Sequence, residues 1–258
     1  MNKKIIRKIL ILGMIVVLIL INSTVYAGSP KFKALVLAER GGQHEGFVVA
    51  ALEWLNGLAS EKNFEITVIN HANEIDETML ANYKVFIQLN YPPYNWGEKA
   101  MAAFVKYIEE GRGGWVGFHH ATLLGEFDGY PIWSWFSEFM GGIRFENYIA
   151  ATASAKVYVE DQKHPVMKGV PSSFIIPDDE WYTFNKNPRP NVHVLAIVDE
   201  STYQPASSIK MGDHPVIWIN EKMKARNVYF LMGHHANLLK SAEFKTMVEN
   251  AIFWAAKE

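Results

Sequence analysis

The chain has 258 residues, 49% of them hydrophobic and 20% charged, with a formal net charge of −2 and no cysteine. That apolar fraction supports a packed core. The near-neutral balance, with no basic block beyond the N-terminus, excludes a surface built to neutralise a phosphate backbone, so nucleic acid is not an expected partner. The missing cysteines exclude disulfides and every thiol nucleophile.

The N-terminus reads as a leader. Lys3, Lys4, Arg7 and Lys8 form a positive region, an apolar run follows from Ile9 to Ile21, and Val25-Tyr26-Ala27 offers a signal peptidase its cleavage site. The run is shorter than the roughly 20 residues that span a bilayer. Residues 1–27 are therefore expected to be a signal peptide. The mature chain is expected in the periplasm, without a stable membrane anchor. Residues 28–258 form the one remaining domain.

Lys33 to Ala38 reads as a short buried strand, followed by a glycine-bearing loop from Glu39 to Gly46. Val48, Ala51, Leu52, Leu55 and Leu58 keep helical spacing. Phe64–Ile69 and Val85–Leu89 read as the second and third strands. Asn95 is placed to cap the next helix, which carries Met101, Phe104, Val105 and Ile108 on one face. Gly111-Arg112-Gly113 stops that helix, and Gly114–Phe118 is the fourth strand. Strand and helix in alternation predict an open, mostly parallel sheet with helices on both faces. The pattern resumes at the end with an apolar strand, Val228–Met232, and a helix striped by Phe244, Met247, Val248, Ala251, Ile252 and Ala255. Between these halves, residues 150–220 predict a β-rich insertion, with strands at Lys156–Val159, Val192–Val198 and Val216–Ile219.

Ligands of such sheets sit beyond the carboxyl ends of the strands. Six of the nine histidines follow predicted strands: His44, His71, His119, His120, His234 and His235. The turn after Phe118, flanked by small residues, has the pattern of a nucleophile elbow, with His119 at the raised position as a base or ligand. Adjacent side chains point opposite ways on an extended segment, so one residue of the His234–His235 pair faces the site, and His234 is taken as that one. His44 lies in a flexible loop able to reach over a ligand. In Asp178-Asp179-Glu180-Trp181-Tyr182, Glu180 is the candidate acid, base or ligand, and Trp181 or Tyr182 the platform for a sugar ring. Trp133, Trp135, Trp218 and Trp254 read as core. His164-Pro165 and His214-Pro215 read as turn punctuation. Imidazoles with a carboxylate also suit zinc or manganese, with His44, His119 and His234 as ligands. No His-Glu-x-x-His pair is present, so such ligands would come from separate loops.

The runs Gly113–Thr122, Val157–Pro171, Asp178–Phe184, Val198–Tyr203, His214–Trp218 and Asn227–His235, in this order, resemble the ThuA-like (trehalose-utilisation) family. The likeness extends from Lys33 to the C-terminus. It implies the flavodoxin-like α/β fold of class I glutamine amidotransferases. In true amidotransferases a cysteine occupies the elbow and a histidine a later strand; here His119 and His234 align with those positions. Without a cysteine, thiolate glutaminase chemistry is excluded. The resemblance implies an oxidised disaccharide, a 3-keto-glycoside, as substrate. A ketone at C3 acidifies the neighbouring hydrogens, so His119 is expected as base, with His234 and Glu180 as acid or electrostatic partners. His44, Tyr182, Trp181, His120 and Tyr91 are expected to hold the sugar. Two other readings stay open at this point: a non-catalytic periplasmic sugar-binding protein and a metal-dependent hydrolase. The sequence also leaves open a homo-oligomer.

Overall fold

The computed structural model describes residues 29–38 and 42–258; the expected leader and residues 39–41 of the first loop lie outside them. In chain order the elements are β1 (Lys33–Ala38), α1 (Glu45–Lys62), β2 (Glu65–Ile69), α2 (Glu77–Leu80), β3 (Val85–Leu89), α3 (Glu98–Glu109) and β4 (Gly114–Phe118). Then come α4 (Ser134–Phe139), β5 (Phe145–Tyr148), β6 (Ala153–Val159), β7 (Ser173–Asp179), β8 (Tyr182–Phe184) and β9 (His193–Gln204). The chain ends with β10 (Pro215–Ile219), β11 (Asn227–Phe230) and α5 (Ala242–Ala256). Among the described residues no helix is long and apolar enough to cross a membrane.

Nine strands make one sheet in the order β2-β1-β3-β4-β11-β10-β9-β6-β7. Every pairing from β2 to β11 is parallel. Every pairing from β11 to β7 is antiparallel. The β-rich insertion is thus the second half of the same sheet, and the sheet as a whole is mixed. β5 and β8 pair separately. Direction follows from these pairings. Four successive reversals from β11 return β7 to the direction of β4 and β11, so the carboxyl ends of β1, β3, β4, β11 and β7 share one rim.

Side-chain alternation along β4 sends its large residues to opposite faces. Trp115 packs against Phe136 and Phe139 of α4, where Phe104 of α3 also stacks on Phe136. Phe118 points the other way, toward Phe47 of α1 and Phe244 of α5. Each such buried aromatic contributes on the order of 2–3 kcal/mol, and together they clamp the central strands between two helical layers. The α5 stripe read from the sequence is buried throughout. One cap differs from expectation: Gly97, not Asn95, precedes α3, and its N–H donates to Asn73 Oδ1. Asn95 instead sits in the left-handed region at φ 64°.

Candidate active site

β4 ends at Phe118 and the chain turns at once into a single 3-10 turn, His119–Thr122. His119 makes that turn at φ +33°, a conformation most side chains avoid. The Tyr229 hydroxyl holds it there by donating to His119 O at 3.1 Å, while the Thr122 hydroxyl lies 2.6 Å from the Tyr229 oxygen. The imidazole itself is sealed from solvent. Its Nδ1 lies 2.9 Å from Leu231 O. A carbonyl only accepts, so Nδ1 carries the proton and Nε2 presents a bare lone pair. That lone pair faces Glu180 Oε2 at 3.3 Å. Burial is the main cause that lowers the His119 pKa to about 4, which keeps the ring uncharged at neutral pH.

Three further groups meet His119. His44 occupies the position before α1 but makes no capping bond there, so its ring is free to turn inward. Its centroid lies 4.0 Å from that of His120, 4.5 Å from His234 and 5.2 Å from His119. Burial and then the neighbouring imidazoles lower its pKa to about 2. His234 brings Nδ1 to 3.4 Å from Glu180 Oε2, at an angle that forms no hydrogen bond. Burial opposes charge on His234, but the Glu180 carboxylate outweighs it and lifts the imidazole above its ordinary value. For Glu180, burial opposes ionisation; the lone pair of uncharged His119 offers it no proton, and the His234 imidazole is the neighbour that favours the carboxylate and draws its value down. One ligand atom each from His44, His119, Glu180 and His234 lies within 4.8 Å of every other.

The remaining expected site residues divide. Tyr182 lays its buried ring 4.0 Å from that of His119, and burial pushes its phenol well above the ordinary value, so it stays a donor. His120 is nearly buried beside His44. Tyr91 is buried with its ring edge-on to His71 and Trp96. His71 caps the short turn after β2 through Nδ1, and His235, 43% exposed at its side chain, caps the turn after β11. Trp181 corrects the expectation of a sugar platform. It is 0% exposed, donates its indole N–H to Ala153 O at 2.9 Å and stacks on Tyr203. His214 is likewise more than punctuation: it is buried, with Nδ1 2.9 Å from Glu200 Oε1 and Nε2 2.9 Å from Tyr182 O.

Two residues that build the site were not singled out in the sequence. Asp179 is fully buried, and its two oxygens accept the N–H groups of Gly233 at 2.9 Å and His234 at 2.8 Å. Burial raises its pKa to about 7 despite those bonds. Asn90 Nδ2 donates to Gly233 O at 3.0 Å. Gly233, at φ +153°, is thus pinned on both sides, and a Cβ there would come within 2.9 Å of the His119 Cβ. Only glycine fits this close crossing. The signal for Asp179 was hidden by a register shift: Ala153 pairs with Asp179 but Ala155 with Ile176, so β7 gains a residue and turns Asp179 inward.

A family model described as ThuA, trehalose utilisation, matches residues 33–255. Among solved structures, a protein described as ThuA-like from Bacteroides uniformis is 30% identical, with a TM-score of 0.79 over 89% of this chain and 93% of its own. A second, from Parabacteroides merdae, is 16% identical, with a TM-score of 0.68 over 88% and 90% of the two chains. A cytoplasmic protein from Salmonella typhimurium is 14% identical, with a TM-score of 0.59 over 86% and 99%. At those two lower identities the likeness is one of fold alone. No curated protein matches the chain.

Proposed function

Since the chain belongs to the trehalose-utilisation (ThuA) family, we propose that it is an exported enzyme acting on a carbohydrate, a 3-keto-glycoside or related oxidised disaccharide, by removing a proton next to the ketone. The observation that carries this reading is the convergence of a carboxyl group, Glu180, with the imidazoles of His44, His119 and His234 at one point of the sheet's rim. The proton passes from C2 or C4 of the sugar to the base, and the electron pair moves onto the ketone oxygen. Return of the proton to the other face epimerises the carbon. Loss of the aglycone from C1 eliminates it instead. The base we favour is Glu180, whose carboxyl is held below its usual range and which is 13% exposed at its side chain. His119, sealed behind it with its lone pair turned to Glu180, is assigned to positioning. Tyr182, a protonated donor beside His119, suits hydrogen bonding to a sugar hydroxyl or the ketone oxygen.

Incubating the purified chain with a 3-keto-glycoside in heavy water tests this. Deuterium is expected at the carbon next to the ketone, and Glu180→Gln should slow its appearance by about 10²–10⁴-fold. Sugar binding without exchange or turnover would instead make the chain a binding protein. The location outside the cytoplasm rests on the leader at residues 1–27 and is checked by fractionation of cells carrying the full sequence.

A further inference from the structure

We propose that His44, His119, His234 and Glu180 form a binding site for one divalent transition-metal ion, zinc or manganese. This inference rests on reading the four-residue cluster as the functional centre and adds the ion that completes it. The first argument is spacing. Donors arranged tetrahedrally about a zinc ion at about 2.0–2.1 Å stand about 3.3–3.4 Å apart. Two of the pairs already have that separation, His119 Nε2 to Glu180 Oε2 at 3.3 Å and His234 Nδ1 to the same oxygen at 3.4 Å. All four donor atoms fall within 4.8 Å of one another, so a small inward movement of the farther pairs closes the shell.

The second argument is what the atoms present to each other. With Nδ1–H of His119 engaged by Leu231 O, an imidazole lone pair points at a carboxylate oxygen. Two acceptors facing at that distance repel unless something positive lies between them. Among the described residues, His44 Nε2 and His234 Nδ1 are buried with no hydrogen-bond partner, and each such atom costs about 1–3 kcal/mol. One cation satisfies all four lone pairs at once. The supports behind the donors also fit. Metal-binding imidazoles donate their other nitrogen to a carbonyl or carboxylate, which is the role of Leu231 O behind His119. Three imidazoles with one carboxylate and no thiolate suit zinc or manganese better than calcium or magnesium, whose shells are oxygen. Such an ion would supply the electrophile that a developing enolate needs, where Glu180 alone brings only negative charge.

The test is metal binding itself. The purified chain, stripped with chelator and dialysed against zinc or manganese, is expected to hold one ion per chain by elemental analysis. Cobalt substitution is expected to give a visible absorption band of nitrogen–oxygen coordination. His44→Ala and His234→Ala should each weaken affinity by more than about 100-fold, beyond what loss of an outer-shell partner causes. His235→Ala, at an exposed cap, should leave it unchanged. His44 lies in a partly exposed loop, so its variant tests the site without opening the core, and circular dichroism confirms its fold. Substoichiometric metal after reconstitution, or equal affinity in folded His44→Ala and wild type, overturns the proposal. Turnover of a 3-keto-glycoside by a chain that fails to take up either metal would sink the metal site and leave the enzymatic reading standing. Stoichiometric metal without turnover of any keto sugar would do the reverse.

Discussion

Asp179 grips the backbone of His234, not its ring: the carboxylate accepts the main-chain N–H at 2.8 Å and that of Gly233 at 2.9 Å. The last residue of β7 thereby fixes the loop after β11, and the imidazole of His234 is delivered toward Glu180, the next residue along from Asp179. One dipeptide, Asp179-Glu180, both holds and faces the same histidine.

Asp179→Asn tests that clamp. The amide keeps one acceptor and turns a donor toward the other N–H, which should lower stability by about 1–3 kcal/mol. Metal affinity should fall about 10–100-fold, the range for groups that orient a ligand. Reduced stability in urea with unchanged affinity would reduce Asp179 to a purely structural role.

Gly233→Ala should be worse tolerated than an ordinary loop substitution. The added carbon meets the His119 Cβ within 2.9 Å and the backbone stays at positive φ. A loss of about 1–3 kcal/mol in chemical denaturation is expected. An unchanged midpoint would show that the two loops do not cross so closely.

The pair Glu200–His214 predicts a pH dependence of stability. Burial opposes ionisation of Glu200, but His214 and the N–H groups of Met211 and Gly212 outweigh it and hold the carboxyl below its ordinary 4.5. The unfolded chain therefore binds the proton more readily. The stabilisation is complete above 4.5 and is lost as pH falls through the lower folded value. Glu200→Gln should lower the melting temperature at pH 7, and the gap from wild type should shrink as the buffer is taken well below pH 4.5. A constant gap contradicts the assignment.

Trp181 and Tyr182 should separate cleanly. Trp181→Phe removes the bond to Ala153 O and leaves space in the core, so stability falls by about 1–3 kcal/mol while KM for the sugar is unchanged. Tyr182→Phe keeps the ring against His119 and removes the hydroxyl, so KM or kcat changes with little loss of stability. The opposite pattern would restore Trp181 as a sugar platform.

The parallel half of the sheet, its flanking helices and the position of the histidines after strands were legible because hydrophobic periodicity is a local signal. Phe118, Phe244 and the Met247–Ile252 stripe carry it directly. The antiparallel half was legible only as a β-rich stretch. Nothing local says that β6 and β7 continue the sheet of β4. Residues 178–182 were the hardest, because one extra residue in β7 turns Asp179 inward and Trp181 into the core. Simple alternation assigns those faces wrongly. Asp179 and Asn90 both act on Gly233, a partner far away in sequence, and spacing along the chain carries no trace of that.

The mixed sheet has a consequence for how the site comes into being. Three imidazoles belong to the loops that leave β1, β4 and β11, whereas the carboxylate arrives from β7 at the far edge of the strand order. The cluster therefore exists only once the most distant pairings have closed, which are the slowest to form. Occupancy by its ligand would report completed folding, and a fragment stopping at the end of α4 would carry His44 and His119 yet grip nothing.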